Sequence, residues 1–191
     1  NAQMFINGNF EAGDLSFWNI ANTANGQTAL QNVVQYDIDG PGTRPTNYAA
    51  QFNVGQVNFN SGVPEGIELT QTLNLTAGWQ YYFDFDWAAD STTTSLLNFE
   101  GGIFSLIVNG NALSTQAAGS INAGQIIYGH VTGIFTPTTS GSYVVGARIE
   151  RPWTTALTTP LQYVDNFAVT AIVPEPGTMA VIALGGAFFA R

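Results

Sequence analysis

The chain has 191 residues, which suits one domain with a real hydrophobic core and a short appendage. Charged residues make up 9% of it, and four arginines without any lysine set against 13 carboxylates give a net charge of −9. The clustered cations that follow a phosphate backbone are missing, which argues against nucleic acid as a partner, and the absence of cysteine removes disulfides and thiol chemistry.

Strand-like alternation recurs along the chain, with turn signals between the runs. Strands are expected at 31–37, 48–54 and 67–75, separated by breakers such as Gly40-Pro41-Gly42 and Gly62-Val63-Pro64. The clearest run is 79–87, where Trp79, Tyr81, Phe83, Phe85 and Trp87 share one face while Tyr82, Asp84 and Asp86 share the other. So heavy an aromatic face belongs against a core, with the two aspartates more exposed. A strand at 103–108 stops at Asn109-Gly110, a strong hairpin signal. Further strands are expected at 126–135, 143–150 and 162–171. Eight or more strands at this spacing predict an all-β fold, a two-sheet antiparallel jelly-roll sandwich. Composition shifts only after Val173, so the domain is read as 1–172 and a short apolar C-terminal tail as 173–191.

The opening Asn7-Gly8-Asn9-Phe10-Glu11-Ala12-Gly13, followed by Trp18, resembles the start of galactose-binding-like and carbohydrate-binding-module jelly rolls. Three later stretches resemble their signature strands in the same order: Tyr48-Ala49-Ala50-Gln51-Phe52, Leu69-Thr70-Gln71-Thr72-Leu73 and Tyr163-Val164-Asp165-Asn166-Phe167. The resemblance implies a structural Ca²⁺ held by Glu11 and Asp165, with carbonyls near Asn9 and Asn47 completing a shell of oxygens at ~2.3–2.6 Å. Such an ion would join the first and last strands. Asn166 stands where the family often has a second Asp, which removes one charge from the site. The alternative is that both acids only cap turns through hydrogen bonds.

The inventory for catalysis is poor. His130 is the single histidine, in a strand, and no phosphate loop or nucleophile elbow is present. Asp84 and Asp86 have Cα atoms ~7 Å apart by strand rise, which permits a glycosidase-like pair, and Asp90 and Glu100 are alternative neighbours for a cation. No catalytic residue is assigned and the chain is read as a non-enzyme. For glycan binding the candidates are Trp153, Tyr82 and Trp18, because aromatic faces stack on sugar rings. Trp153 lies in a polar, loop-like run that suits an exposed platform.

Val173-Pro174-Glu175-Pro176, a twelve-residue apolar stretch at 179–190 and a final Arg191 resemble the PEP-CTERM sorting tail of exported bacterial proteins. The resemblance implies that Pro174, Glu175 and Pro176 form a sorting motif read by an exosortase in the membrane. It also implies a bacterial protein secreted or held at the cell surface; the start at Asn1 fits removal of a signal peptide. Twelve apolar residues fall short of the ~20 needed to span a bilayer. Val181, Ile182, Leu184, Phe188 and Phe189 are therefore expected to pack on another copy, giving a homo-oligomer or filament. Two readings follow: an extracellular structural protein that self-assembles, and, as the alternative, a polysaccharide-binding module of the extracellular matrix. A carboxylate-based glycoside-active enzyme would need a cleft holding two acids.

Overall fold

The computed structural model describes residues 4–38, 47–92, 99–155 and 160–173. Ten strands are present among them: β1 Asn19–Asn22, β2 Gly26–Gln35, β3 Tyr48–Gln56, β4 Glu65–Leu75, β5 Gln80–Asp90, β6 Ile103–Val108, β7 Asn111–Ala117, β8 Ile126–Phe135, β9 Gly141–Arg151 and β10 Leu161–Ile172. They form two five-stranded sheets, ordered β1-β4-β9-β6-β7 and β2-β3-β10-β5-β8. Every strand pair is antiparallel, as a jelly-roll sandwich requires.

Alternation in β5 does what its pattern predicts. Tyr81, Phe83, Phe85 and Trp87 are buried and Trp79 packs at the edge of the same cluster, while Asp84 and Asp86 are half-buried on the opposite face. Trp87 stacks on Phe104 of the facing sheet with ring centroids 4.4 Å apart, and its indole Nε1 donates to Gln116 Oε1 at 3.0 Å. The neighbouring strand makes room: a Cβ on Gly129 would lie 2.2 Å from the indole carbons.

Asn109 and Gly110 both take positive φ, 49° and 75°, so the expected turn forms and leads directly into β7. Strands β1 and β7 have no counterpart in the sequence pattern. Both are polar edge strands, and β7 buries none of its residues completely, so no apolar period announces it.

The chain ends of the domain differ from expectation. Strand β1 lies in one sheet and β10 in the other, so the first and last strands are not neighbours. The 4–18 loop makes the connection instead, with Phe167 N donating to Gly8 O at 2.9 Å. A Cβ at Gly8 would approach Phe167 O to 2.6 Å, so this approach requires glycine. Asn7 shapes the loop: its Nδ2 donates to Asp14 O at 3.0 Å and its own carbonyl accepts from Trp18 Nε1 at 3.0 Å. Phe5, Phe10, Trp18 and Phe167 close over the sandwich as one aromatic cluster. Trp18 is only 9% exposed, and its rings meet Phe5, Phe10 and Phe167. This corrects its reading as a sugar platform: it is a core residue, and the opening motif serves as a structural clasp.

No described helix is long and apolar enough to cross a membrane. The proposed sorting residues Pro174, Glu175 and Pro176 and the tail residues Val181, Ile182, Leu184, Phe188 and Phe189 lie outside the described residues.

Candidate functional site

Two loops meet where β3 ends and β9 ends. Gln56 N donates to Trp153 O at 2.8 Å and Thr155 N donates to Gln56 O at 3.3 Å, forming a parallel bridge between Gln56 and Thr154. The approach is so close that a Cβ on Gly55 would lie 2.4 Å from Trp153 O. The fully buried side chain of Gln56 then fastens the following loop. Its Nε2 donates to Asn60 O at 2.8 Å and also to Val63 O, and its Oε1 accepts from Asn60 N at 2.6 Å. Asn25 grips the same loop from the other side, donating to Asn58 O at 2.6 Å and accepting from Asn58 N at 3.1 Å.

These anchors present Phe59 against Trp153 with ring centroids 5.4 Å apart and planes 14° apart. Trp153 is 42% and Phe59 55% exposed, with Val57 and Val63 also open to solvent. The loops that carry the two rings are fixed by backbone and side-chain hydrogen bonds. The sequence singles out Trp153 and not Phe59, because the two become neighbours only through the bridge at Gln56.

Tyr82 lies on the outer face of the second sheet, 37% exposed, between Ile134 of β8 and Thr170 of β10. It is remote in register from the loops that carry Trp153 and shares no ring contact with it. On the same face, Asp84 and Asp86 border a cleft of about 550 Å³ whose other wall is the loop through Asn7, Gly8 and Asn9. His130 Nδ1 donates to Asp86 Oδ1 at 2.6 Å and Asn166 Nδ2 donates to Asp86 Oδ2 at 2.9 Å. Burial pushes the Asp84 carboxyl above its ordinary value, with Asp86 adding to the shift and His130 opposing it. The far half of this sheet face is covered: Tyr36 stacks on Tyr163 with centroids 3.7 Å apart, and burial drives the Tyr36 phenol far above its usual range.

Of the residues expected at a cation, Glu11 and Asn47 both lie at the start of β3. Glu11 reaches from the clasp to the start of β3, where its Oε1 accepts from Tyr48 N at 3.1 Å. Asn47 beside it is buried, and its Nδ2 meets no hydrogen-bond partner, while its carbonyl accepts from Tyr36 N at 2.9 Å. Val164 pairs with Ala50, so Asp165, fully buried, follows on β10 toward the same end of β3. The Glu11 and Asp165 carboxylates are oxygen donors of the kind calcium takes, whereas the unpartnered atom of Asn47 is an N–H donor, which does not suit a cation. Asn9 is exposed on the clasp. Asp90 is buried and bonded to Thr92, and among the described residues no group of three or more His, Asp or Glu is placed to hold a metal.

No protein-family profile and no curated protein matches the sequence. Solved structures do match in fold. The carbohydrate-binding module TmCBM61, solved with β-1,4-galactotriose, is 17% identical, covers 88% of this chain and 97% of its own, and superposes with a TM-score of 0.52. A Stig cyclase from Fischerella sp. TAU is 20% identical over 92% of this chain and 100% of its own, with a TM-score of 0.50. The α-L-arabinofuranosidase MgGH51, solved with arabinose, matches 89% of this chain with 26% of its own length, at 16% identity and a TM-score of 0.50. Binding modules and enzymes thus share the architecture, and the likeness establishes the jelly-roll sandwich alone.

Proposed function

We propose that this chain is a polysaccharide-binding module that acts through the Phe59–Trp153 platform. The observation that carries the reading is the solvent-facing stack of these two rings, held by Gln56 and Asn25. A sugar ring presents an apolar C–H face that lies flat on an indole, while hydroxyls at its edge bond to amides. Thr154, Thr155 and the Asn58–Asn60 turn supply such groups around Trp153. A platform rigid before binding loses little conformational entropy on binding. The fold likeness to a module solved with a galactose trisaccharide supports a glycan as the ligand class. The test is retention of the chain on immobilised neutral polysaccharides, compared with Trp153→Ala.

Export and surface placement belong to the proposal through the Pro174-Glu175-Pro176 resemblance, with an exosortase as sorting partner. A self-assembling structural role is compatible with glycan binding in a matrix. Deletion of 174–191, followed by measurement of particle mass and cell-surface retention, tests both. A structural Ca²⁺ at Glu11 and Asp165 completes the proposal; it would tie the clasp to β10 without taking part in ligand contact.

A further inference from the structure

The cleft beside Asp84 and Asp86 lies on a sheet face, apart from the loop-borne platform, and the reading above makes no use of it. Its walls come from three stretches of chain that the fold brings together: the clasp, mid-β5 and the bulge of β10. A volume of about 550 Å³ falls within the ordinary range for small-molecule sites.

The lining is chemically one-sided. Two carboxylates face it and no lysine or arginine does. Asp86 is fixed by His130 and Asn166, so its oxygens are held in place. Asp84 sits across one intervening residue on the same strand face. Met4 supplies an exposed apolar wall, and Asn7, Asn9 and Asn166 line the opening. A second anion would be repelled, so uronate and sulfated sugars are poor occupants. A cation placed between the carboxylates would offset the repulsion between them, and amides on the rim suit hydroxyl groups.

We propose that this cleft binds an amino-sugar residue, with its ammonium group between Asp84 and Asp86, its hydroxyls at the asparagine rim and its ring against Met4. The carboxylates would accept hydrogen bonds from the ammonium, and charge-assisted bonds of this kind are stronger than neutral ones. Acetylation of the amine removes both the charge and two of its donors. The module would then hold glycan at two separate places, and the two contacts are separable by mutation.

The experiment is titration of the ¹⁵N-labelled chain with D-glucosamine at pH 6.5, followed by amide shifts at Gly8, Asp86, Asn166 and Ala168. Saturable shifts at these amides are expected, at least tenfold weaker with N-acetylglucosamine or glucose and in Asp84→Asn, and unchanged in Trp153→Ala. Absence of saturable shifts there, or equal affinity for the acetylated and free amines, overturns the proposal. If Asp84→Asn fails to fold, as its amide dispersion would show, Asp86→Asn and the acetylation comparison on the unaltered chain decide the matter. Loss of polysaccharide retention in Trp153→Ala with glucosamine shifts intact separates this site from the platform, so either reading can fail alone.

Discussion

Phe167 lies flat on Phe85, with ring centroids 4.9 Å apart and planes 15° apart, at the point where β10 carries one residue more than β5. The register shifts between Asp165 and Ala168, and Asn166 takes a φ of 55° to absorb the extra residue. The bulge thus turns Phe167 into the core, aims Asn166 at Asp86, and offers Phe167 N to Gly8. One irregularity links the core, the cleft and the clasp. Phe167→Ala is expected to cost about 3–5 kcal/mol, read from the denaturant midpoint. Gly8→Ala should also destabilise, through its clash with the Phe167 carbonyl. An unchanged midpoint in both variants would mean that the clasp is not docked as described.

Trp18 and Trp153 should respond in opposite ways. Trp18→Ala empties the centre of the aromatic cluster and should cost about 3–5 kcal/mol. Trp153→Ala removes a ring that is 42% exposed, so its stability change should be far smaller. Thermal unfolding of the two variants side by side checks the assignment of one indole to the core and the other to the surface.

Asp84 gives a pH signature. Its folded-state carboxyl is raised from an ordinary value of 3.8, chiefly by burial. The native chain therefore keeps this proton over a range in which the unfolded chain has already released it. Stability from this group is greatest below pH 3.8 and falls as pH climbs through the folded value, then stays level. Asp84→Asn should gain on the parent chain as pH rises through that acidic window. A difference between the two that is flat with pH would contradict the assigned burial.

Calcium linkage tests the Glu11–Asp165 proposal. Calcium at a hundredfold excess over its dissociation constant should stabilise the chain by about 2.7 kcal/mol. Chelator should reverse the shift, and Asp165→Asn should abolish it. An identical melting temperature with and without calcium, in protein shown to bind the ion, would remove its structural role.

Much of the sandwich was legible in the sequence, for reasons visible in particular residues. In β5, strict alternation of aromatics with aspartates marks a strand with one face in the core, and Asn109-Gly110 specifies a tight turn by its tolerance of positive φ. β7 was hidden because an edge strand exposed on most positions has no apolar period. The aromatic pair was half visible: Trp153 stood in a polar run, but Phe59 reaches it only through the bridge between Gln56 and Thr154, contacts that no local pattern encodes. Trp18 was misread for a related reason. Its burial depends on Phe5, Phe10 and Phe167 folding over it, and the last of these is distant in sequence. The Asp84–Asp86 spacing was plain, whereas the cleft beside them depends on how the clasp docks.

The most direct measurement is affinity electrophoresis of the chain through gels containing a panel of neutral polysaccharides, beside Trp153→Ala and Phe59→Ala. Central aromatic contacts of a binding surface are worth about 2 kcal/mol or more each. At least one polysaccharide should retard the parent chain, with affinity reduced some thirtyfold in Trp153→Ala (~2 kcal/mol at 1.4 kcal/mol per tenfold) and less in Phe59→Ala. Retardation that is the same for the parent and for both folded variants, or no retardation by any member of the panel, would contradict the assignment of the Phe59–Trp153 platform as the glycan-binding surface.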